Sequence, residues 1–122
     1  MGAGLSIHCV DVASGCVAEG LRVSLRRLGP DGEPTGPVLA EGRVGGNGVL
    51  QHPALMGEAI TAGGYEVRFE VGDFYRRQGK AVPDPAFLEM VPYRFHIADV
   101  SQHYHLPFKF TAWGFSLFRG GA

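Results

Sequence analysis

Apolar and polar side chains alternate with a period of two along most of this chain, the mark of strands that bury one face and wet the other. The alternation is cleanest where Tyr65, Val67, Phe69 and Val71 interleave with Glu66, Arg68 and Glu70, predicting a strand over 65–71. Leu21, Val23 and Leu25 against Arg22, Ser24 and Arg26 predict another over 21–28; Tyr93, Phe95 and Ile97 against Arg94, His96 and Ala98 predict one over 93–98, with His96 in solvent. Residues 5–12 alternate poorly but are rich in β-favouring types, and residues 38–44 read as a further strand. Gly45-Gly46-Asn47-Gly48 follows as a hairpin turn, Asn-Gly accepting positive φ at low cost, so Val49 is expected to open a return strand. The turn formers from Gly29 to Gly36 predict an exposed loop. The period breaks once, at 73–78, where a short helix is expected with Asp73 as N-cap and Gly79 at its end.

Near the C-terminus two β-favouring runs pivot at Trp113-Gly114 and read as strands joined by a tight bend. Their period puts His103, His105, Pro107 and Lys109 on one face and Tyr104, Leu106, Phe108 and Phe110 on the other. A face that gathers two imidazoles and an ammonium opposite a hydrophobic one reads as a lined cavity or an interface, with a plain solvated surface as the alternative. About eight short strands separated by turn signals predict an all-β fold, a two-sheet antiparallel β-sandwich with one short helix, as a single domain over 1–122.

Eleven Lys and Arg against twelve Asp and Glu leave a net charge of -1, which offers no electrostatic footprint for nucleic acid and no basic patch for a membrane. No apolar run approaches the roughly 20 residues of a membrane helix, and the start lacks a signal-type pattern, so a cytoplasmic protein is expected. Met1-Gly2-Ala3-Gly4-Leu5-Ser6 fits the loose myristoylation pattern, which is short enough to arise by chance. Cys9 and Cys16 flank the end of the first strand without CxxC spacing; a disulfide between them stays open. His103 and His105 with His8 could be drawn together as a zinc set, but neither Cys nor carboxylate supports them, and no metal and no cofactor is expected.

Ser6-Ile7-His8-Cys9-Val10-Asp11, Gly64-Tyr65-Glu66-Val67-Arg68-Phe69, and His103-Tyr104-His105-Leu106-Pro107 with a terminal Phe118-Arg119-Gly120 together resemble the 5-hydroxyisourate hydrolases, the transthyretin-like proteins of urate breakdown. The likeness runs in order over nearly the whole chain. It implies a transthyretin-like sandwich of eight strands with one short helix, a small-molecule substrate, and a homotetramer whose central channel holds paired sites between dimers. It also implies subunit contacts at the apolar terminal strands, where Phe108, Phe110, Trp113 and Phe115 offer much aromatic surface. The family's site uses the His of a Ser-Thr-His-Val-Leu-Asp motif, the Arg of an Asp-Gly-Arg turn, the second His of His-Tyr-His and a terminal Tyr-Arg-Gly-Ser. His8, His105, Arg119 and Gly120 match those positions, and His103 matches the neighbouring motif position. Val49 stands where the arginine belongs, and Arg43 comes six residues too early to replace it. Phe118 stands for the tyrosine, Gly121 for the serine with Ala122 appended, and Ile7 for the threonine.

Each departure removes a polar group. An arginine fork holds a carbonyl-rich or anionic ring through charge-assisted hydrogen bonds of about 1.5–3 kcal/mol each, and Val49 offers none. His8 and His105 can still act as acid and base. Lys109, where the family keeps an apolar residue, is aimed by the same alternation to stand beside His105, and restores positive charge as a point charge without the fork. The implied channel face comprises His8, Val10, His105, Pro107, Lys109, Ser116 and Phe118, with His8 and His105 catalytic and with His103, Val49 and Arg119 completing the substrate-binding set. The implied function is that of a divergent hydrolase-like enzyme, opening a cyclic amide or other heterocycle with altered specificity. Alternatives are a non-catalytic small-molecule binding protein, a working 5-hydroxyisourate hydrolase despite the lost Arg and Tyr, and histidines that only hydrogen-bond across an interface. Two imidazoles on one face favour the enzyme, since a carrier needs no pair of bases.

Overall fold

The first strand, β1 (Leu5–Asp11), sends Leu5, Ile7, Cys9 and Asp11 inward and leaves Ser6, His8 and Val10 half-buried on its outer face, a cleaner alternation than its residue types promise. The structure, a computed structural model, describes residues 3–121; Met1, Gly2 and Ala122, and with them the start of the myristoylation-like pattern and the appended alanine, lie outside the described residues. β2 (Cys16–Val17), β3 (Arg22–Leu28), β4 (Pro34–Arg43), β5 (Gly63–Phe69), the helix α1 (Val71–Arg77), β6 (Val91–Ile97), β7 (Tyr104–Phe110) and β8 (Phe115–Leu117) follow in order. The eight strands form two four-stranded sheets, β2-β1-β7-β8 and β4-β3-β5-β6. The strand count, the sandwich and the single short helix match the sequence expectation. Pairing is antiparallel except for β1 and β7, which run parallel.

The local departures have local reasons. β4 begins at Pro34, so the expected loop ends early; β4 is an edge strand, where a proline without N–H is tolerated. Val49 opens no strand. It makes one isolated bridge to His8, after which the chain enters two 3-10 turns, Pro53–Leu55 and Gly57–Ala59. The helix starts two residues before Asp73, with Glu70 in the capping position and no side-chain cap bond. Asp73 instead lies in the first turn, where negative charge is favoured, and pairs with Arg43 at 3.4 Å.

The two inner faces meet on aromatic rings. Phe69 of β5 stacks on Phe108 of β7 at 3.9 Å between centroids, and Phe108 on Phe110 at 4.7 Å, while Phe74 and Tyr75 of α1 meet Phe110 edge-on. Phe108 and Phe110 are therefore core residues, buried to 0% and 1% exposure, and they correct the expectation that they cover a subunit contact. Trp113, Phe115 and Phe118 stay exposed. Cys9 and Cys16 are both free thiols; Cys9 faces the core, where burial pushes its pKa up to about 12. No helix among the described residues is long and apolar enough to cross a membrane.

Candidate active site

The parallel register of β1 and β7 decides what their outer face gathers. Ser6 lies beside His105, His8 beside Pro107, and Val10 beside Lys109. β8 extends the face with Ser116 across from Lys109, and Phe118 follows just past that strand. On the other edge of β1 the bridge to Val49 sets that side chain directly across from His8. Val49 thus presents only an apolar side chain beside His8.

Two glycines press the backbone onto the two imidazoles. Gly48, at φ +82°, hands its carbonyl to Cys9 N–H at 2.8 Å, and a Cβ there would sit 2.7 Å from His8 Nε2 and 2.9 Å from Val17 Cγ1. Only glycine meets both the left-handed backbone and the approach. At the other end Gly120 N–H donates to His105 O, and a Cβ at Gly120 would sit 2.8 Å from His105 Cδ2. Each ring is thereby held between its strand and a crossing segment.

His105 is also linked, through Ser6, to a third imidazole, that of His103. Ser6 Oγ lies 2.6 Å from His105 Nδ1 and 2.8 Å from His103 Nε2, while His103 Nδ1 lies 2.7 Å from the carbonyl of Ala3. With Nδ1 engaged, Nε2 is the nitrogen His105 has left for a reacting molecule. The His105 pKa is lowered, first by burial and then by His8 and His103 nearby. His105 is thus biased towards the neutral form, as a base requires. Sequence reasoning misses Ser6 as a site residue; its place two residues before His8, on the same face by alternation, is the signal that could have found it.

Other members of the expected set fall differently. Lys109 is four residues from His105, about 13 Å along the strand, with Pro107 between them, and lies diagonally across from His8 instead. The expectation that it stands beside His105 is corrected by this register. Arg119 does not extend over the imidazole face: its guanidinium stacks 4.0 Å from the Tyr104 ring and donates to Gln102 Oε1 at 2.9 Å. Arg43 is on β4 in the other sheet and donates to Gly20 O at 3.0 Å, so it replaces nothing at Val49. A cavity of about 290 Å³ opens beside Ser6 and His103, with Val49, Leu50, Leu55 and Met56 giving it a largely apolar wall. A larger concavity, about 420 Å³, lies on the other sheet among Arg22, Arg26, Arg43, Arg68 and their acidic neighbours, away from the imidazoles. No group of three or more His, Cys, Asp or Glu side chains among the described residues is arranged to hold a metal ion.

A family model described as the HIUase/Transthyretin family matches residues 5–120. The protein named 5-hydroxyisourate hydrolase 2 of Rhizobium meliloti is 41% identical over 119 residues, covering 95% of this chain and 94% of its own. Among solved structures, that of Klebsiella pneumoniae 5-hydroxyisourate hydrolase superposes with a TM-score of 0.77 at 29% identity, covering 98% of this chain and 99% of that one. The crystal structure of an (S)-allantoin synthase superposes with a TM-score of 0.85 at 34% identity, covering 98% of this chain but 44% of the longer one.

Proposed function

Because the chain belongs to the HIUase/transthyretin family, we propose that it is a 5-hydroxyisourate-hydrolase-like enzyme of the cytoplasm, opening a cyclic amide or related heterocycle by acid–base hydrolysis at His8 and His105. The observation that carries this is the convergence of His8 and His105 on one face, with Nε2 of a partly buried, neutral-biased His105 left unengaged. His105 Nε2 takes a proton from water as the water oxygen adds to a ring carbonyl. The ring C–N bond then breaks and the departing nitrogen receives that proton, with His8 as the second acid–base group. Lys109, diagonal to His8, supplies positive charge to the part of the substrate that lies on the His8 side of the face. Val10, Val49, Ser116 and Phe118 line the substrate's other sides, and His103 and Arg119 brace the rim. The free thiols of Cys9 and Cys16 fit a reducing compartment.

Specificity is altered because Val49 replaces the arginine beside His8. Freshly generated 5-hydroxyisourate, followed by its ultraviolet decay, is expected to turn over slowly. Val49→Arg is expected to raise kcat/KM by about ten- to a hundredfold, the worth of one charge-assisted hydrogen bond of about 1.5–3 kcal/mol. Turnover by the native chain equal to that of a hydrolase retaining the arginine would show that the fork is dispensable here.

The pH profile follows from His105. A lowered pKa keeps the base neutral at more acidic pH, so the acid limb of kcat/KM is expected below the ordinary histidine value of 6.5. Folding carries the matching sign: as pH falls below 6.5 the unfolded chain takes up the proton first, and stability drops until the folded pKa is passed. An acid limb at or above 6.5 would count against His105 as the base.

The working unit in this proposal is a homotetramer, with the imidazole faces meeting across a channel. Trp113 is 73% exposed, Phe115 49% and Phe118 45%, an aromatic edge along β8 that association would cover. Sedimentation is expected to give the mass of four 13.1 kDa chains. A monomer at micromolar concentration would refute it.

A further inference from the structure

The hydrogen-bond chain from Ala3 to His105 leaves little freedom in where its protons lie. A carbonyl only accepts, so His103 Nδ1, 2.7 Å from Ala3 O, carries a hydrogen. In a neutral His103, Nε2 is then a bare lone pair, and Ser6 must donate its hydroxyl hydrogen across the 2.8 Å contact. Ser6 has no second hydrogen. Towards His105 its oxygen can only accept, so His105 Nδ1 donates across 2.6 Å and His105 Nε2 is the bare nitrogen.

From this chain we infer that Ser6 is a positioning residue that both selects the His105 tautomer and relays a proton from His105 to His103. When His105 Nε2 gains a proton, the Nδ1 proton passes to Ser6 Oγ as the Ser6 hydrogen passes to His103 Nε2. One proton enters at His105 Nε2 and one extra proton resides on His103, so nothing else is consumed. Every hydrogen bond survives the transfer. His103 Nε2 now donates to Ser6, Ser6 donates to His105 Nδ1, and the His103 cation keeps its contact with Ala3 O.

The surroundings favour that direction of transfer. His105 is flanked by His8, and burial opposes charge on it. Of the other charged groups near the chain, Lys109 lies about 13 Å down β7 and Arg119 is turned onto Tyr104 and Gln102. His52, across the adjoining cavity, uses its Nδ1 to accept from Ala54 N–H. Holding the proton on His103 leaves His105 Nε2–H uncharged between the steps of a hydrolysis. The proton returns along the same path when the departing nitrogen needs it.

The kinetic part of this proposal rests on the acid–base reading above, whereas the tautomer part stands without any substrate. Long-range ¹H–¹⁵N correlation spectra of the intact protein at a pH where the histidines are neutral read the tautomers directly. His105 and His103 are both expected in the Nδ1–H form. In Ser6→Ala, His105 should revert towards the Nε2–H form common for free imidazole, and Ser6→Thr, which keeps the hydroxyl, should restore the native spectrum. A native His105 in the Nε2–H form, or one unchanged by Ser6→Ala, would overturn the assignment. With a turned-over substrate, Ser6→Ala should lower kcat by about ten- to a hundredfold at constant KM, within the range of general acid–base effects, and Ser6→Thr should recover it. Native tautomers with an unaffected kcat in Ser6→Ala would overturn the relay, and absence of all turnover would reject the enzyme reading while leaving the tautomer result decisive.

Discussion

Alanine in place of His105, or of His8, is expected to lower kcat by about 10²- to 10⁴-fold, the usual worth of a positioned general acid or base. The two rings lie on one outer face, one on β1 and the other on its parallel neighbour β7, offset by one pleat. Each is held by a glycine that passes too closely for any side chain to intervene. Neither contributes to the aromatic core between the sheets, so the variants should keep their circular dichroism and their assembly state while losing turnover. The assay is 5-hydroxyisourate decay, run in the native chain and in the Val49→Arg background, where a faster starting rate makes the loss easier to measure. Because His105 carries the unengaged Nε2 and His8 lies nearer Lys109, a double variant is expected to lose little more than the worse single one, as groups acting in one proton transfer are not additive. Full turnover by both single variants would dispose of the acid–base pair and leave a binding role for the face.

Phe108→Ala is expected to destabilise the fold by about 3–5 kcal/mol, a large part of the roughly 5–15 kcal/mol that holds a typical domain. The ring is fully buried, stacked on Phe69 from the opposite sheet and on Phe110 along its own strand, so its removal opens a cavity where the two sheets meet. Urea titration at fixed protomer concentration should show the midpoint falling with an unchanged slope, and the melting temperature should drop by about 10–20 °C. Phe87→Ala is the control: that ring is 71% exposed, and its loss should cost no more than about 0.5 kcal/mol. A Phe108→Ala midpoint within error of the native one would mean that the core does not close on this ring.

The sorting of faces along 104–110 is legible in the order of residues alone, because the pleat alternates side chains residue by residue whatever lies beside the strand. Tyr104, Leu106, Phe108 and Phe110 are buried as the alternation requires, and Lys109 is exposed. Glu66 escapes the same logic. Alternation puts it in solvent, yet it is 2% exposed, because Arg68 and Arg94 close over it from its own strand and from β6. Burial works to raise its pKa, but the hydrogen bonds from the two arginines outweigh that and hold its carboxyl below the ordinary range. Polar side chains long enough to cover a neighbour defeat a rule that sees one strand at a time.

The site shows the same division. That His105 stands on the outer face of its strand follows from sequence periodicity, whereas His8, in a stretch that alternates poorly, is found by its match to a family motif a few residues long. Ser6, Gly48 and Gly120 become site residues only through contacts between segments far apart in the chain: Ser6 meets His103 and His105 across 97 and 99 positions. The sequence by itself determined most of the strands and most of their inward faces, since these rest on a local period, whereas the closing of Phe108 and Phe110 into the core rather than onto a subunit contact required the opposite sheet. Only the tertiary structure decided that β1 lies parallel to β7 in the register that puts Ser6 against His105 and Val10 against Lys109, and that a separate bridge on the other edge of β1 sets Val49 against His8. Register is fixed by hydrogen bonds between distant segments, and a slip of one residue would turn every one of these side chains to the other face without changing any local pattern.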